Sequence, residues 1–285
     1  MTAPDEQTLL AAATDAARAG GEVLRRLYGA ASLDVRLKGR NDLVSRADHE
    51  SEEVVLGRIR REFPDHAILS EEGGGGAGSA AYQWVVDPLD GTNNFLQGLP
   101  YFCCSVGCLD AAGEPVAGAV YEPLADRLFA AARGHGATVD GEALRISEHP
   151  GLDGAFLATG YPFRAHAALD RYLACFREVF LQARGIRRCG SAALDLAHTA
   201  AGVFDGFFEF ALSPWDVAAG VVLIREAGGV VTDLDGGERF LATGNLVAGG
   251  PGVHRELRAA VARHADEAVL AELTGHPDET PVGAG

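Results

Sequence analysis

The chain has no apolar run approaching the roughly 18 to 20 residues that a membrane span needs. Its start, Met1-Thr-Ala-Pro-Asp-Glu6, has neither the cationic opening nor the apolar stretch of a secretory signal. Both absences point to the cytoplasm. Basic residues are scarce: 24 Lys and Arg stand against 40 Asp and Glu, a formal charge of −16. A chain so acidic repels phosphate backbones, which argues against nucleic acid as its main ligand. Cysteine is sparse and odd in number, at positions 103, 104, 108, 175 and 189. There is no C-x-x-C pair or neighbouring His to suggest zinc, and the unpaired count suits a reducing compartment. These cysteines read as small core residues. The glycine-rich Gly73–Gly78 lacks the lysine that a phosphate-binding P-loop carries after its last glycine, where this chain has Ser79, so it reads as a flexible loop. No internal repeat occurs. At 285 residues the chain has room for one large domain or two intimate halves around a substantial core.

What the chain does have is carboxylates placed where short apolar runs stop. In Trp84-Val-Val-Asp-Pro-Leu-Asp-Gly-Thr-Asn-Asn-Phe95 an apolar strand runs straight into Asp87 and Asp90, then a Gly-Thr step. Ligands of α/β sheets gather at the carboxyl ends of strands. A helix beginning after Gly91 would aim free N–H groups and a positive dipole end at the same place, forming an anion pocket beside carboxylates. Carboxylates attract an anion only through cations, so this order of residues points to hard metal ions holding a phosphate. A calcium loop would need oxygen ligands at its third and fifth positions and Glu at its twelfth. Counted from Asp87 these are Leu89, Gly91 and Gly98, which excludes it. A turn with one capping Asp accounts for one carboxylate, not two.

Glu71-Glu72 follows Ala67-Ile-Leu69 at another strand end. Asp216, in Ser213-Pro-Trp-Asp216, falls in the first turn of an apolar helical pattern that runs to Glu226. Alone, Asp216 reads as a complement to the helix dipole, worth up to about 1 kcal/mol. Beside Glu71, Asp87 and Asp90 it reads as the fourth member of a cluster that would repel itself unless divalent cations neutralised it. A set of oxygen donors only favours Mg²⁺.

In order and approximate spacing these segments resemble the signatures of the inositol monophosphatase family, within the wider fructose-1,6-bisphosphatase-like group of metal-dependent, lithium-sensitive phosphatases. The likeness extends to Lys38, Asp42–Asp48, Thr159–Phe163, Gly190–Asp195, Asp205–Glu209 and Glu226–Val230, and spans roughly residues 5 to 265. It implies two or three Mg²⁺ ions: one on Glu71, Asp87 and the Leu89 carbonyl, a second on Asp87, Asp90 and Asp216, and a weaker third near Glu71. It implies catalytic roles for Glu71, Thr92 and Asp48, the last two orienting and activating a water. Substrate contacts are implied at Asp90, Gly91, Thr92, Ala192, Glu209 and Asp216, with Lys38 and Arg188 as further candidates. The expected reaction is hydrolysis of a small polyol phosphate, inositol 1-phosphate first, by a homodimeric enzyme. Fructose 1,6-bisphosphate, histidinol phosphate and 3′-phosphoadenosine 5′-phosphate are rival substrates. A regulatory protein binding partners on the same scaffold is the reading from a different class.

Without the resemblance, Lys38 and Asp48 read as solvated surface between the first two helices. Glu209, among Phe207, Phe208 and Phe210, reads as a satisfied internal carboxylate or a ligand contact. Arg187 and Arg188 read as facing a subunit interface or a sugar.

Apolar periodicity predicts helices over about 6–28 and 48–63, then strands at 83–86, 102–109, 116–121 and 127–132. It continues with strand 155–159, helices 169–184 and 192–201, strand 206–210, helix 215–227, strand 230–233 and a helix from Val253. That is α+β followed by α/β. The family resemblance implies a layered αβαβα sandwich. The change of pattern near residue 150 divides the chain into an N-terminal half at 1–148 holding most metal ligands and a second half at 149–268, and the Pro- and Gly-rich end reads as a disordered tail at 269–285.

Overall fold

The computed structural model describes residues 4–39, 42–73, 76, 78–162 and 166–274. The first helix, α1 (Glu6–Leu27), begins where the Asp5 side chain accepts a hydrogen bond from the Thr8 amide at 2.8 Å, and it buries one stripe that includes Leu9, Ala13, Ala17 and Leu24. A hairpin of β1 (Arg36–Gly39) and β2 (Asp42–Val44) leads into α2 (Arg46–Glu62), which starts on a capping box of Ser45 and Asp48. Next come β3 (His66–Ser70), β4 (Ser79–Asp90), the short α3 (Thr92–Gln97), β5 (Cys103–Asp110), β6 (Pro115–Glu122), β7 (Arg127–Ala132), β8 (Ala137–Val139) and β9 (Glu142–Ala143). These strands form one sheet in chain order, parallel between β3 and β4 and antiparallel from there on.

The second part comprises β10 (Phe156–Thr159), α4 (Leu169–Phe180), β11 (Gly185–Arg187), α5 (Ala192–Ala200), β12 (Gly206–Glu209), α6 (Pro214–Glu226), β13 (Val230–Thr232), α7 (Phe240–Thr243), β14 (Leu246–Gly249), α8 (Pro251–Ala262) and α9 (Glu267–Thr274). Its sheet has the order β11-β10-β12-β14-β13, with β10 parallel to both neighbours and β14 antiparallel to both of its own.

Three apolar clusters bind these elements into layers. One lies between α1, α2 and the larger sheet, a second between the two sheets around α5 and α6, and a third between the smaller sheet and α4, α8 and α9. The order is αβαβα. Strand β6 is buried along its whole length because both faces of the larger sheet are covered, and alternate residues of β5 serve different clusters: Cys104, Val106 and Cys108 face α1 and α2, while Cys103 faces the space between the sheets. Four of the five cysteines are buried and Cys189 is half-buried, in keeping with their reading as core residues.

Helix α6 sits unusually close to the larger sheet. A Cβ on Gly107 would fall 2.8 Å from the Ala218 Cβ, and one on Gly118 would fall 2.7 Å from the Ala219 Cα. Gly220 lets α6 meet Leu196 of α5 in the same way.

Several boundaries differ from the sequence expectation. Strand β4 continues through Asp87 to Asp90 instead of stopping at Val86, because a bulge keeps the acidic segment paired to β5. Helix α4 stops at Phe180, and the three residues of β11 follow. The chain remains helical through Thr274 with Leu270 buried, where a disordered tail was expected from 269. Residues 275–285, most of the interior of the glycine-rich loop and Phe163 lie outside the described residues. No helix among the described residues is long and apolar enough to cross a membrane.

Candidate metal centre

Asp87 and Asp90 are three residues apart, and in a regular strand that odd spacing would put them on opposite faces. The bulge removes the conflict. Asp87 pairs with Ser105 and Asp90 with Cys103, so three steps on β4 match two on β5 and both carboxylates come to the face that looks toward α6. At Gly91 the chain turns with φ +97°, where a Cβ would also crowd the Tyr101 carbonyl at 3.0 Å, and α3 begins at Thr92. Asp216 arrives from the first turn of α6. Carboxylate oxygens of Asp87, Asp90 and Asp216 lie within 4.8 Å of one another, and all three residues are buried.

Burial pushes Asp87 well above the ordinary carboxylate range, and repulsion from Glu71, Asp90 and Asp216 pushes it the same way. Burial likewise lifts Asp90, to about 6, against the hydrogen bonds from Ser191 and Ala193. Two acids driven toward protonation beside a third buried carboxylate, with oxygen donors only, fit a hard divalent cation.

Around the cluster the other expected residues fall as follows. Thr92 Oγ1 lies 3.0 Å from Asp48 Oδ1 and 3.0 Å from the Leu89 carbonyl. The Leu89 amide donates to Asp87 Oδ1 at 3.0 Å. Asp48 is wholly buried, contrary to the surface reading from residue pattern; its Oδ2 accepts from the Ser45 amide and hydroxyl at 2.8 and 2.7 Å. Burial raises its pKa, partly offset by those bonds. Lys38 is not free surface either, since its ammonium bridges Glu71 at 3.1 Å and Glu72 at 2.6 Å. Glu71 lines the same cleft but stands outside the three-carboxylate group.

The far wall of the cleft comes from the smaller sheet and α5. It includes Gly160, Tyr161, Arg188, Gly190, Ala192 and Glu209. Glu209 is buried, and burial drives its carboxyl well upward, with Asp195 and Asp216 adding to the shift. Arg188 is the one cation among the described lining residues, and its guanidinium lies 5.3 Å over the Tyr161 ring.

Sequence reasoning missed three contributors. A Cβ on Gly160 would overlap the Glu209 carboxylate, so that glycine makes room for it. Asn94 Nδ2 donates to the Tyr101 and Cys189 carbonyls at 2.7 and 2.9 Å, tying α3 to the loop before α5. Ser191 Oγ donates to Asp90 Oδ2 at 2.7 Å. A serine just ahead of an apolar helix was a visible signal, but of capping rather than of a bond to a distant carboxylate.

A buried acidic triad at strand and helix ends, set between the two sheets of an αβαβα sandwich, defines a class of proteins whose clustered carboxylates could hold a metal ion. Within that class the chain belongs to the inositol monophosphatase family, whose family model matches residues 5–269. It is 44% identical over 261 residues to the Nus factor SuhB of Salmonella typhimurium, covering 91% of this chain and 96% of that protein. Among solved structures it resembles the extragenic suppressor protein suhB from Bartonella henselae, with TM-score 0.86, 39% identity and coverage of 90% and 99%. It also resembles the inositol monophosphatase from Anabaena, with TM-score 0.82, 40% identity and coverage of 91% and 97%.

Proposed function

We propose that the protein is a Mg²⁺-dependent phosphomonoesterase of small polyol phosphates, with inositol 1-phosphate its preferred substrate. The observation that carries this reading is the meeting of Asp87, Asp90 and Asp216 in one cleft with the Thr92–Asp48 pair beside them. Asp87, Asp90 and Asp216, with Glu71 and the Leu89 carbonyl, would hold the cations. Bound Mg²⁺ would neutralise the cluster, acidify a water and stabilise the leaving alkoxide.

The chain's own groups supply the rest. Asp48 and the Leu89 carbonyl fix the direction in which the Thr92 hydroxyl donates, leaving its oxygen to accept from a water in the cleft. The amides of Gly91 and Thr92, at the start of α3, suit phosphate oxygens as charge builds. The Glu209 carboxyl has no hydrogen-bond donor among the described residues and Arg188 as its favourable charge, which suits it to a substrate hydroxyl. Arg188, above Tyr161, closes the opposite side.

Phosphate release from inositol 1-phosphate, fructose 1,6-bisphosphate, histidinol phosphate, 3′-phosphoadenosine 5′-phosphate and a simple alkyl phosphate, with and without Mg²⁺, tests the reading. Inositol 1-phosphate is expected to have the highest kcat/KM, to require Mg²⁺, and to lose turnover in lithium but not sodium. Glu209→Gln should narrow its lead over the alkyl phosphate, because a site that pairs hydroxyls discriminates against analogues lacking them. A different winner in the panel would replace the substrate and keep the reaction.

A second reading has its own support: close relatives are called Nus factors, and α4 exposes Leu169, Leu173 and Phe180, with Leu181 just beyond. Such a stripe suits a protein partner or a second subunit. No ester turned over, with a partner held at that face, would put the regulatory reading first.

A further inference from the structure

Ser191 occupies the N-cap position of α5 but does not cap that helix with its own side chain. Its hydroxyl instead donates across the space between the sheets to Asp90 Oδ2 at 2.7 Å, and the Ala193 amide in the first turn of α5 donates to the same oxygen at 2.7 Å. The cap of α5 is therefore delivered by Asp90, a residue of the other sheet. Ser191 and Asp90 are both buried, and Cys103 Sγ packs 4.0 Å from Oδ2 and 3.7 Å from the Ser191 hydroxyl. Asp90 lines the cleft, and with both strong donors on Oδ2 its Oδ1 is the oxygen left to meet an ion.

The terminal torsion of an aspartate is broad and nearly two-fold, so the backbone alone does not choose which oxygen points where. We propose that Ser191 is the positioning residue for Asp90: together with the Ala193 amide it selects the carboxylate oxygen offered to the metal centre and holds it there. Because Ala192, between those two donors, lines the cleft, the same turn of α5 joins the substrate wall to the metal centre. The inference rests on the metal-phosphatase reading of the cleft. Groups that orient a ligating side chain in this way typically change metal affinity or activity by about 10- to 100-fold when removed.

The test compares Ser191→Ala, Ser191→Cys and Ser191→Thr with the native chain. Binding of Mn²⁺ and of Mg²⁺ to the metal-free protein is measured by calorimetry, and kcat and KM for inositol 1-phosphate at limiting and saturating Mg²⁺. Ser191→Ala should bind both ions about 10- to 100-fold more weakly, with kcat at limiting Mg²⁺ falling in parallel and KM at saturating Mg²⁺ nearly unchanged. Ser191→Cys, which keeps the volume but donates weakly, should follow the alanine variant even if alanine loosens the fold. Ser191→Thr, which restores a hydroxyl, should return most of the affinity. Native metal affinity in both the alanine and cysteine variants, or a threonine variant as impaired as alanine, overturns the role of Ser191 and leaves the phosphatase reading standing. A native chain that binds neither ion overturns both.

Discussion

Asp48, Asp90 and Asp216 share one device. In each, Oδ2 accepts a backbone amide at the start of a helix: Ser45 at 2.8 Å for α2, Ala193 at 2.7 Å for α5, and Ser213 at 2.7 Å for α6. Capping and ligand binding are thus not rival explanations of Asp216, because the two oxygens of one side chain can serve both. That division separates two substitutions. Asp216→Asn keeps a side chain able to cap but removes the charge, so it should raise the Mg²⁺ needed for half-maximal activity while leaving stability nearly native. Asp216→Ala loses both functions and should also cost about 0.5–2 kcal/mol in denaturant unfolding. An unchanged Mg²⁺ titration in the asparagine variant would leave Asp216 as a cap alone. At Asp90 the same charge removal should cut turnover by orders of magnitude in a folded protein, and an active Asp90→Asn enzyme would sink its place in the centre. At this scale the acidic residues were legible in the sequence because they interrupt apolar runs. Asp48 and Lys38 were not legible from pattern, since what buries them lies far along the chain: Thr92 is 44 positions from Asp48, and Glu72 is 34 from Lys38.

Elements supply the distances that residues cannot. The bulge in β4 turns an odd spacing into a shared face, and no local pattern announces it, because it exists only in the register with β5. The long strands and helices were legible, since their apolar spacing spans several turns or pleats. Strands β11 and β14 were missed because three or four residues carry too little periodicity to be told from a loop. Helix α6 was legible as a helix, but its closeness to the sheet depends on Gly107 and Gly118 in neighbouring strands. This gives an element-scale prediction. Gly118→Val should force α6 outward, costing about 1–3 kcal/mol by overpacking. Because Asp216 rides on the first turn of α6, the same variant should need more Mg²⁺ although no cleft residue has changed. Equal loss of stability with a native Mg²⁺ requirement would show that α6 can shift without moving its first turn.

Over the whole molecule, several of the 40 acidic residues are buried, and this governs how stability responds to pH. Asp195 is lifted by burial from its ordinary 3.8 to about 7, and Asp90 to about 6; Asp87 and Glu209 move the same way. For an acid raised on folding, the stabilisation is fully present below its unfolded value and is lost as pH rises through the folded one. Glu178 moves oppositely, held low by Arg263 and His264, so its contribution disappears only when pH falls below about 4.5. His254, lowered by burial from 6.5 to about 4, and His66, lowered the same way, add stability as pH rises toward 6.5. Above that the buried acids set the trend, and from pH 6.5 to pH 8 the metal-free protein should melt at progressively lower temperature. Cations should reverse part of this. Mg²⁺ at 100 times its dissociation constant adds about 2.7 kcal/mol to a protein that binds it only when folded. The gain should be larger at pH 8 than at pH 5, where protons compete for the same carboxylates. Asp195 stands apart from the triad, hydrogen-bonded to the Tyr101 hydroxyl at 2.7 Å, so saturating Mg²⁺ should leave a residual fall in Tm near pH 7 that Asp195→Asn reduces. Scanning calorimetry across that range, with and without Mg²⁺, decides the matter. A metal-free Tm that climbs from pH 6.5 to pH 8 would mean that the buried carboxylates do not govern the stability of this fold.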